Sequence, residues 1–411
     1  MRRANLHGLM LNVLIPLATI VVAGYLAFSR RLAGSAEWQA TVTPLASIMG
    51  SGFLISAPLL GGLVGELAIA CMAVLLLLAY GVGAVIRFNI RHFEPIEHAG
   101  AGPAQRVAFL ARIVLAGAYF ISVTYYLQLL SAFLLNFAGV GGRTPASAVT
   151  TLLLLSIGGV GSWRGLDRLE RLETYAVSLN LGMISALLLA LAIHNIGLVV
   201  DGRWQLPGLG AGLDLNDARV LLGLLIVVQG FETSRYLGDS HPAELRIRSM
   251  RTAQLVSSAI YLAFIGLATV LFHGGLGADV TAVIGMVAPV AAVLPILLTV
   301  AAIGSQFSAA VADTVGAGGL IEDLSRRQVP VRGAYLLILV VTIGITWMTH
   351  VNAIIAYASR AFALFYLLQC AVALIVAWQM PALPRRRLRL MAFSAIALSC
   401  ALVFAFGLPA E

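Results

Sequence analysis

Ser47-Ile48-Met49-Gly50-Ser51-Gly52-Phe53 interrupts an apolar stretch of the length a membrane helix needs. Two glycines flanking a serine make a poor helix interior, because glycine gives up the most backbone freedom on folding. In hydrocarbon such a break survives only where the freed backbone groups find protein partners or line a polar cavity. A second interruption, Gln229-Gly230-Phe231-Glu232, lies inside another apolar stretch far downstream. Paired breaks at corresponding places in two halves of a membrane chain point to a secondary transporter's binding site.

The rest of the chain agrees. Of 411 residues, 60% are hydrophobic and 11% charged, and the mean hydropathy is +0.96; soluble domains are not built this way. Apolar runs of about 20 residues recur, enough to cross a hydrocarbon core of roughly 30 Å. The net charge is +8, and every one of the 26 basic residues is arginine. Basic residues between membrane spans set topology, so a pI near 9.8 does not indicate nucleic acid. A chain without lysine has no P-loop and no Schiff-base nucleophile. Cys71, Cys370 and Cys400 sit in apolar runs without CxxC spacing and read as small buried hydrophobes. The seven histidines show no metal spacing. No paired carboxylates, histidine cluster or nucleophile motif suggests an enzyme. Arg2 and Arg3 ahead of an apolar run from 8 to 28 mimic a signal peptide. The run is too long, however, and Arg30-Arg31 stands where a cleavage site would be. We read a retained helix.

Twelve spans are expected, roughly 8–28, 42–60, 63–86, 105–138, 146–162, 173–199, 217–238, 252–273, 284–315, 333–350, 352–379 and 390–407. The first is called span zero here and the others spans one to eleven. Arginines crowd alternate connections: Arg87, Arg91 and Arg106; Arg164, Arg168 and Arg171; Arg246, Arg248 and Arg251; Arg326, Arg327 and Arg332; Arg385, Arg386, Arg387 and Arg389. The opposite connections hold almost only Arg143 and Arg203. The positive-inside rule makes the first set cytoplasmic in a bacterial-type inner membrane and puts both termini outside, with Arg2 and Arg3 the one misfit. Five spans per half is an odd number, so the halves have opposite orientations and form an inverted repeat. The expected organisation is a leading helix and loop over 1–41, a first repeat over 42–200, a second over 217–380, and an extra helix over 381–411. The fold class is an all-α polytopic membrane protein. Span three is long enough to be strongly tilted.

This layout resembles the amino acid–polyamine–organocation (APC) superfamily, with its LeuT-like fold of five plus five helices and discontinuous helices one and six. Gly50-Ser51-Gly52-Phe53 followed by Pro58 is similar to the Gly-Ser-Gly-Ile-Phe…Pro motif of amino acid permeases, and Gly230-Phe231-Glu232 to their Gly-Phe-Glu. The resemblance covers residues 42–380, and span zero departs from the simplest family plan. It implies secondary active transport by alternating access.

Several residues are candidates for substrate. The break in span one frees N–H groups at Ser51, Gly52 and Phe53, at the N-terminus of a half-helix where a carboxylate is favoured. Gly50 lets a ligand approach the backbone, and Ser47 borders the break; ordinary small-residue packing is the alternative. The break in span six frees carbonyls around Val228 and Gln229 beside Gly230. Phe231 is placed to close over a substrate. Glu232 is an ionisable group inside a span, with a role in substrate, proton or gating chemistry; a plain ion pair with Arg235 competes. Tyr119, Ser122 and Tyr126 share one face of span three, and Gln306 is within reach from span eight. Glu66 reads as interfacial. Arg164, Arg168 and Arg171 with Asp167, Glu170 and Glu173 read as a solvated connection.

Span eight carries Ala310, Asp313 and Thr314 at i, i+3 and i+4, so a carbonyl and two side-chain oxygens converge on one face. Hard oxygen donors suit a hard cation. The set resembles the conserved second sodium site of the LeuT-like fold, which implies that Ala46 and Met49 add carbonyls from span one. Sodium is therefore the expected coupling ion, with a proton carrier or a structurally satisfied carboxylate as alternatives. The other sodium site of some relatives needs an asparagine where Phe53 stands. The lysine that some proton-coupled members place in span five is absent. The expected partners are a small zwitterionic or carboxylate substrate and membrane lipid, with no nucleic acid and no cofactor beyond the ion. A proton-coupled permease or exchanger of amino acids or amines, and a channel or transporter-like sensor, are the competing readings.

Overall fold

The computed structural model describes residues 2–97, 99–209, 213–238, 241–277 and 279–410, without the side chains of 2–10, 33, 51, 164 and 167–174. The helices are α1 (Arg2–Phe28), α2 (Arg30–Ala33), α3 (Ala36–Val64), α4 (Ala68–His92), α5 (Pro103–Phe137), α6 (Arg143–Arg164), α7 (Asp167–Val200), α8 (Leu215–Gly223), α9 (Ala243–Ala268), α10 (Ala282–Val287), α11 (Leu294–Leu324), α12 (Val331–Met348), α13 (Val351–Gln379) and α14 (Arg386–Phe406). No strand occurs among the described residues.

Ten helical stretches among them are long and apolar enough to cross a membrane. The stretch Ala36–His92 holds two spans, α3 and α4, separated by a 3-10 turn at Gly65–Leu67 that begins on a left-handed Gly65 (φ 53°). Span six is missing from the ten because it is broken: α8 gives way to 3-10 turns at Leu225–Val228 and Phe231–Tyr236. With both allowed for, the spans number twelve. One boundary differs from expectation. Span eight, expected over 284–315, is a short α10, an irregular link, and then α11 running to Leu324. Pro289 lacks a donor and stands in the link, whereas Pro295 occupies the first turn of α11, where no donor is needed. Asp313 therefore lies in mid-helix.

α3 is helical throughout except at Gly52 (φ 173°, ψ 13°). In span six the chain turns at Gly230, whose φ of 117° only glycine adopts readily. The two breaks meet. A methyl group on Gly52 would lie 2.6 Å from Val227 Cβ, and one on Gly230 would lie 2.5 Å from Ser47 Oγ and 2.7 Å from Ile48 N. Rising numbers in span one thus match falling numbers in span six, so the broken helices cross antiparallel. The Tyr261 hydroxyl of α9 faces two freed carbonyls, that of Ile48 at 3.1 Å and that of Val227.

The helices pack in two groups. α3, α4, α9 and broken span six contact one another; α5 packs on α11, α13 and α6, and α12 on α6. α1 lies along α7, where Gly182 leaves room for the Thr19 carbonyl (2.8 Å from a built Cβ). Asn12 of α1 accepts the Val293 N–H at 3.1 Å. At the arginine-poor end, Gly61 and Gly62 of α3 admit Phe272 and the Leu276 backbone, at 2.9 and 2.6 Å from built Cβ atoms.

Candidate substrate and cation site

A cavity of about 190 Å³ lies between the two groups. Thr43, Ala46 and Ser47 come from α3 and Tyr119 from α5. Asn180 comes from α7, Thr233 and Tyr236 from span six, and Ser305, Ser308 and Asp313 from α11. Among the described residues, Asp313 is the one carboxylate in the wall, and no Arg, His, Cys or Met lines it. A second cavity of about 330 Å³ shares Tyr119, Tyr236, Val315 and Gly316 with the first and continues to Arg112 and Asp323, toward the arginine-rich end.

Asp313 is 7% exposed and accepts a hydrogen bond from the Ser122 hydroxyl of α5. One residue on, the Thr314 hydroxyl donates to the Ala310 carbonyl at 2.6 Å, so those two oxygens meet on one face of α11. Ala46 reaches the same cavity wall as Asp313, whereas Met49 is buried away from it. Gly50 of α3 faces α11: a built Cβ would lie 3.7 Å from Ala309 Cβ and 3.8 Å from the Ser305 carbonyl.

The remaining expected residues spread over two layers. Ser47 and Tyr119 face the cavity. The Gly50 carbonyl, freed by the break, accepts from Gln306 Nε2 at 2.9 Å. The Ser51 side chain lies outside the described residues. Val227 covers Gly52, and the Phe53 ring packs on Tyr261 and Phe264 at centroid distances of 5.4 and 4.5 Å. Ser122 meets Asp313 behind the wall, and Tyr126 accepts from Gln229 Nε2 at 3.0 Å. Phe231 stacks on Tyr366 at 5.5 Å. Glu232 is 1% exposed and accepts the Gly230 N–H at 3.0 Å and the Tyr366 hydroxyl at 2.9 Å. The break-lining layer is thus closed over the cavity rather than open to it.

Arg235 turns away from Glu232. Its guanidinium meets the Gln369 side-chain oxygen and Glu97 (3.5 Å), and lies over the Phe93 ring. Gln369 also accepts from Asn89 at 3.0 Å. Nearby, Arg246 pairs with Glu94 and donates to the Arg235 carbonyl at 2.9 Å. The end of span six is thereby tied to α4, α9 and α13. Glu66, expected at the interface, accepts the Gly208 N–H at 3.0 Å in the connection before α8. The mixed-charge connection 164–173 lies outside the described side chains.

Thr43, Asn180, Thr233, Tyr236, Ser305 and Ser308 were not foreseen as wall residues. Two signals existed. Thr43 precedes Ser47 by one helical turn, and Ser305, Ser308 or Ala309, Asp313 and Gly316 recur at helical spacing. Asn180 and Thr233 carry no such signal.

A family model described as APC superfamily transporter matches residues 30–407. An uncharacterized protein of Aquifex aeolicus (strain VF5) is 40% identical over 383 residues, 91% of each chain. Among solved structures, the manganese transporter of Eremococcus coleocola is similar in fold. A point mutant of it gives a TM-score of 0.57 at 12% identity, covering 90% of this chain and 87% of that one. Its complex with an aromatic bis-isothiourea compound gives 0.56 at 13% identity, with the same coverage.

Proposed function

Taking as premise that this chain belongs to the APC superfamily of transporters, an integral membrane family, we propose that it is a secondary active symporter. It carries a small amino acid or related zwitterion by alternating access, coupled to sodium at Asp313. The observation that carries this reading is the convergence of Ala46 and Ser47 from the first broken helix with Asp313 from α11 on one cavity wall. A buried carboxylate in a membrane span is costly without a partner cation. Asp313 Oδ, Thr314 Oγ1 and the carbonyls of Ala310, Ala46 and Met49 would supply hard oxygen donors to sodium. The hydroxyls and amide of Ser47, Asn180, Thr233 and Ser308 remain for the substrate.

The topology set by arginine makes the cavity open to the cytoplasm of a bacterial-type inner membrane, with both termini outside. Cation entry down a potential of about 100 mV contributes about 2.3 kcal/mol per charge, enough to accumulate substrate appreciably. A divalent metal as substrate, as in the manganese transporter, fits less well. Among the described residues no three His, Cys, Asp or Glu side chains gather. One observation favours a second reading, proton coupling: Glu232 is buried, accepts from the Gly230 N–H and the Tyr366 hydroxyl, and has no basic partner among the described residues.

The test is uptake of a pooled set of radiolabelled amino acids into proteoliposomes. An inward sodium gradient is compared with equal potassium and with a pH gradient alone. Sodium-dependent uptake that disappears in Asp313→Ala supports the proposal. Equal uptake under a pH gradient alone overturns sodium coupling in favour of Asp313 and Glu232 as proton carriers.

A further inference from the structure

An arginine inside an apolar span demands an account, because ionisable groups there mark pathways unless their pairing is purely structural. Arg112 lies in α5, and its guanidinium meets the Asp323 carboxylate of α11. The pair is not packed away: the Asp323 side chain is 63% exposed and that of Arg112 is 24% exposed. Both line the cavity of about 330 Å³ that continues from the central one. Asp313 and Asp323 lie on one helix, about 15 Å apart at 1.5 Å per residue. Between them Gly316 and Gly319 present bare backbone, and a built Cβ on Gly319 meets nothing within 4 Å. Tyr119 and Tyr236 belong to both cavities and bring two hydroxyls to the passage.

The geometry points to a second binding site in this vestibule, for the same zwitterion as the central cavity. Arg112 takes the substrate carboxylate in a bidentate fork, and Asp323 takes its ammonium. The two charges a zwitterion needs are here already side by side in one cavity. A half-exposed ion pair is held weakly and opens readily for a competitor that satisfies both partners. The central wall, in contrast, holds a carboxylate and, among the described residues, no cationic side chain. The vestibular site is therefore the place where a leaving substrate's carboxylate first meets a guanidinium. This inference rests on the amino acid reading above.

The experiment is equilibrium binding of an equimolar mixture of radiolabelled amino acids to the full chain in nanodiscs, compared among the protein and three variants. We expect Arg112→Gln to lose about half of the saturable label and to keep the sodium-dependent half, which also shows that it is folded. Gly319→Leu fills the vestibule while leaving both charged residues in the chain and is expected to lose the same half. Asp313→Asn is expected to lose the sodium-dependent half alone. Full binding by both Arg112→Gln and Gly319→Leu overturns the vestibular site and leaves the central one standing. Absence of saturable label from every form, the unaltered protein included, overturns the amino acid reading and this site with it.

Discussion

Gly230 shows what one residue contributes. Its φ of 117° and the 2.5 Å between a built Cβ and Ser47 Oγ exclude any side chain. We predict that Gly230→Ala costs about 1–3 kcal/mol, the range for forcing an L-residue into such backbone. The check is a thermal melt of the purified protein, where Gly304→Ala serves as control because nothing lies within 4 Å of its built Cβ. That control is expected to gain up to about 1 kcal/mol of helix propensity. Tyr261→Phe removes the hydroxyl facing the Ile48 and Val227 carbonyls, and an unsatisfied buried acceptor costs about 1–3 kcal/mol. A lowered melting temperature without loss of helical circular dichroism is expected. Residue-scale reading of the sequence was uneven. The glycines at both breaks were legible because few other residues suit them. The partner of Glu232 was not: i,i+3 spacing favours Arg235 on a regular helix, but Gly230 turns the chain so that the carboxylate caps its own N–H groups. Asn180 lies near Ser178 in an otherwise apolar run and Thr233 among Glu232, Ser234 and Arg235, and only tertiary packing decides which of these polar residues faces the cavity.

At the scale of elements, the spans were legible from hydropathy because bilayer thickness sets their length. What hydropathy misses is the irregular link before α11, since a loop of Ala, Val and Pro is as apolar as a helix. Span zero is tied to α7 through Gly182, beneath Thr19 and Ala23. Gly182→Leu is expected to prise α1 from α7. The readout is cysteine crosslinking between positions on the two helices, which should weaken while uptake persists if α1 only buttresses. The antiparallel contact of the two breaks was implied by the odd number of spans per half, but not its register. That register depends on Gly52 fitting Val227 and Gly230 fitting Ser47.

At the scale of the molecule, the cavity communicates with the arginine-rich end through the passage beside Tyr119 and Tyr236. We predict that Ser308→Cys and Gly319→Cys react with a membrane-impermeant thiol reagent applied from that face and not from the other. Cys71, Cys370 and Cys400 are buried and should give a low background. Labelling from both faces would show a channel-like opening instead. The two groups of helices, one holding both breaks and the other holding Asp313, meet around this cavity and also through α13, where Gln369 and Tyr366 bind Asn89, Arg235 and Glu232.

The closure at the opposite end is made by Gly61 and Gly62 against Phe272 and the backbone of Leu276. Among the described residues, no charged side chain is among the atoms nearest these two glycines. Its tightness therefore follows the thermodynamics of apolar hydration, which weakens on cooling and is nearly indifferent to sodium chloride below molar concentration. Temperature, rather than ionic strength, is accordingly the variable expected to loosen this packing. Cold samples are where a parting of α3 from Phe272 and Leu276 is to be sought.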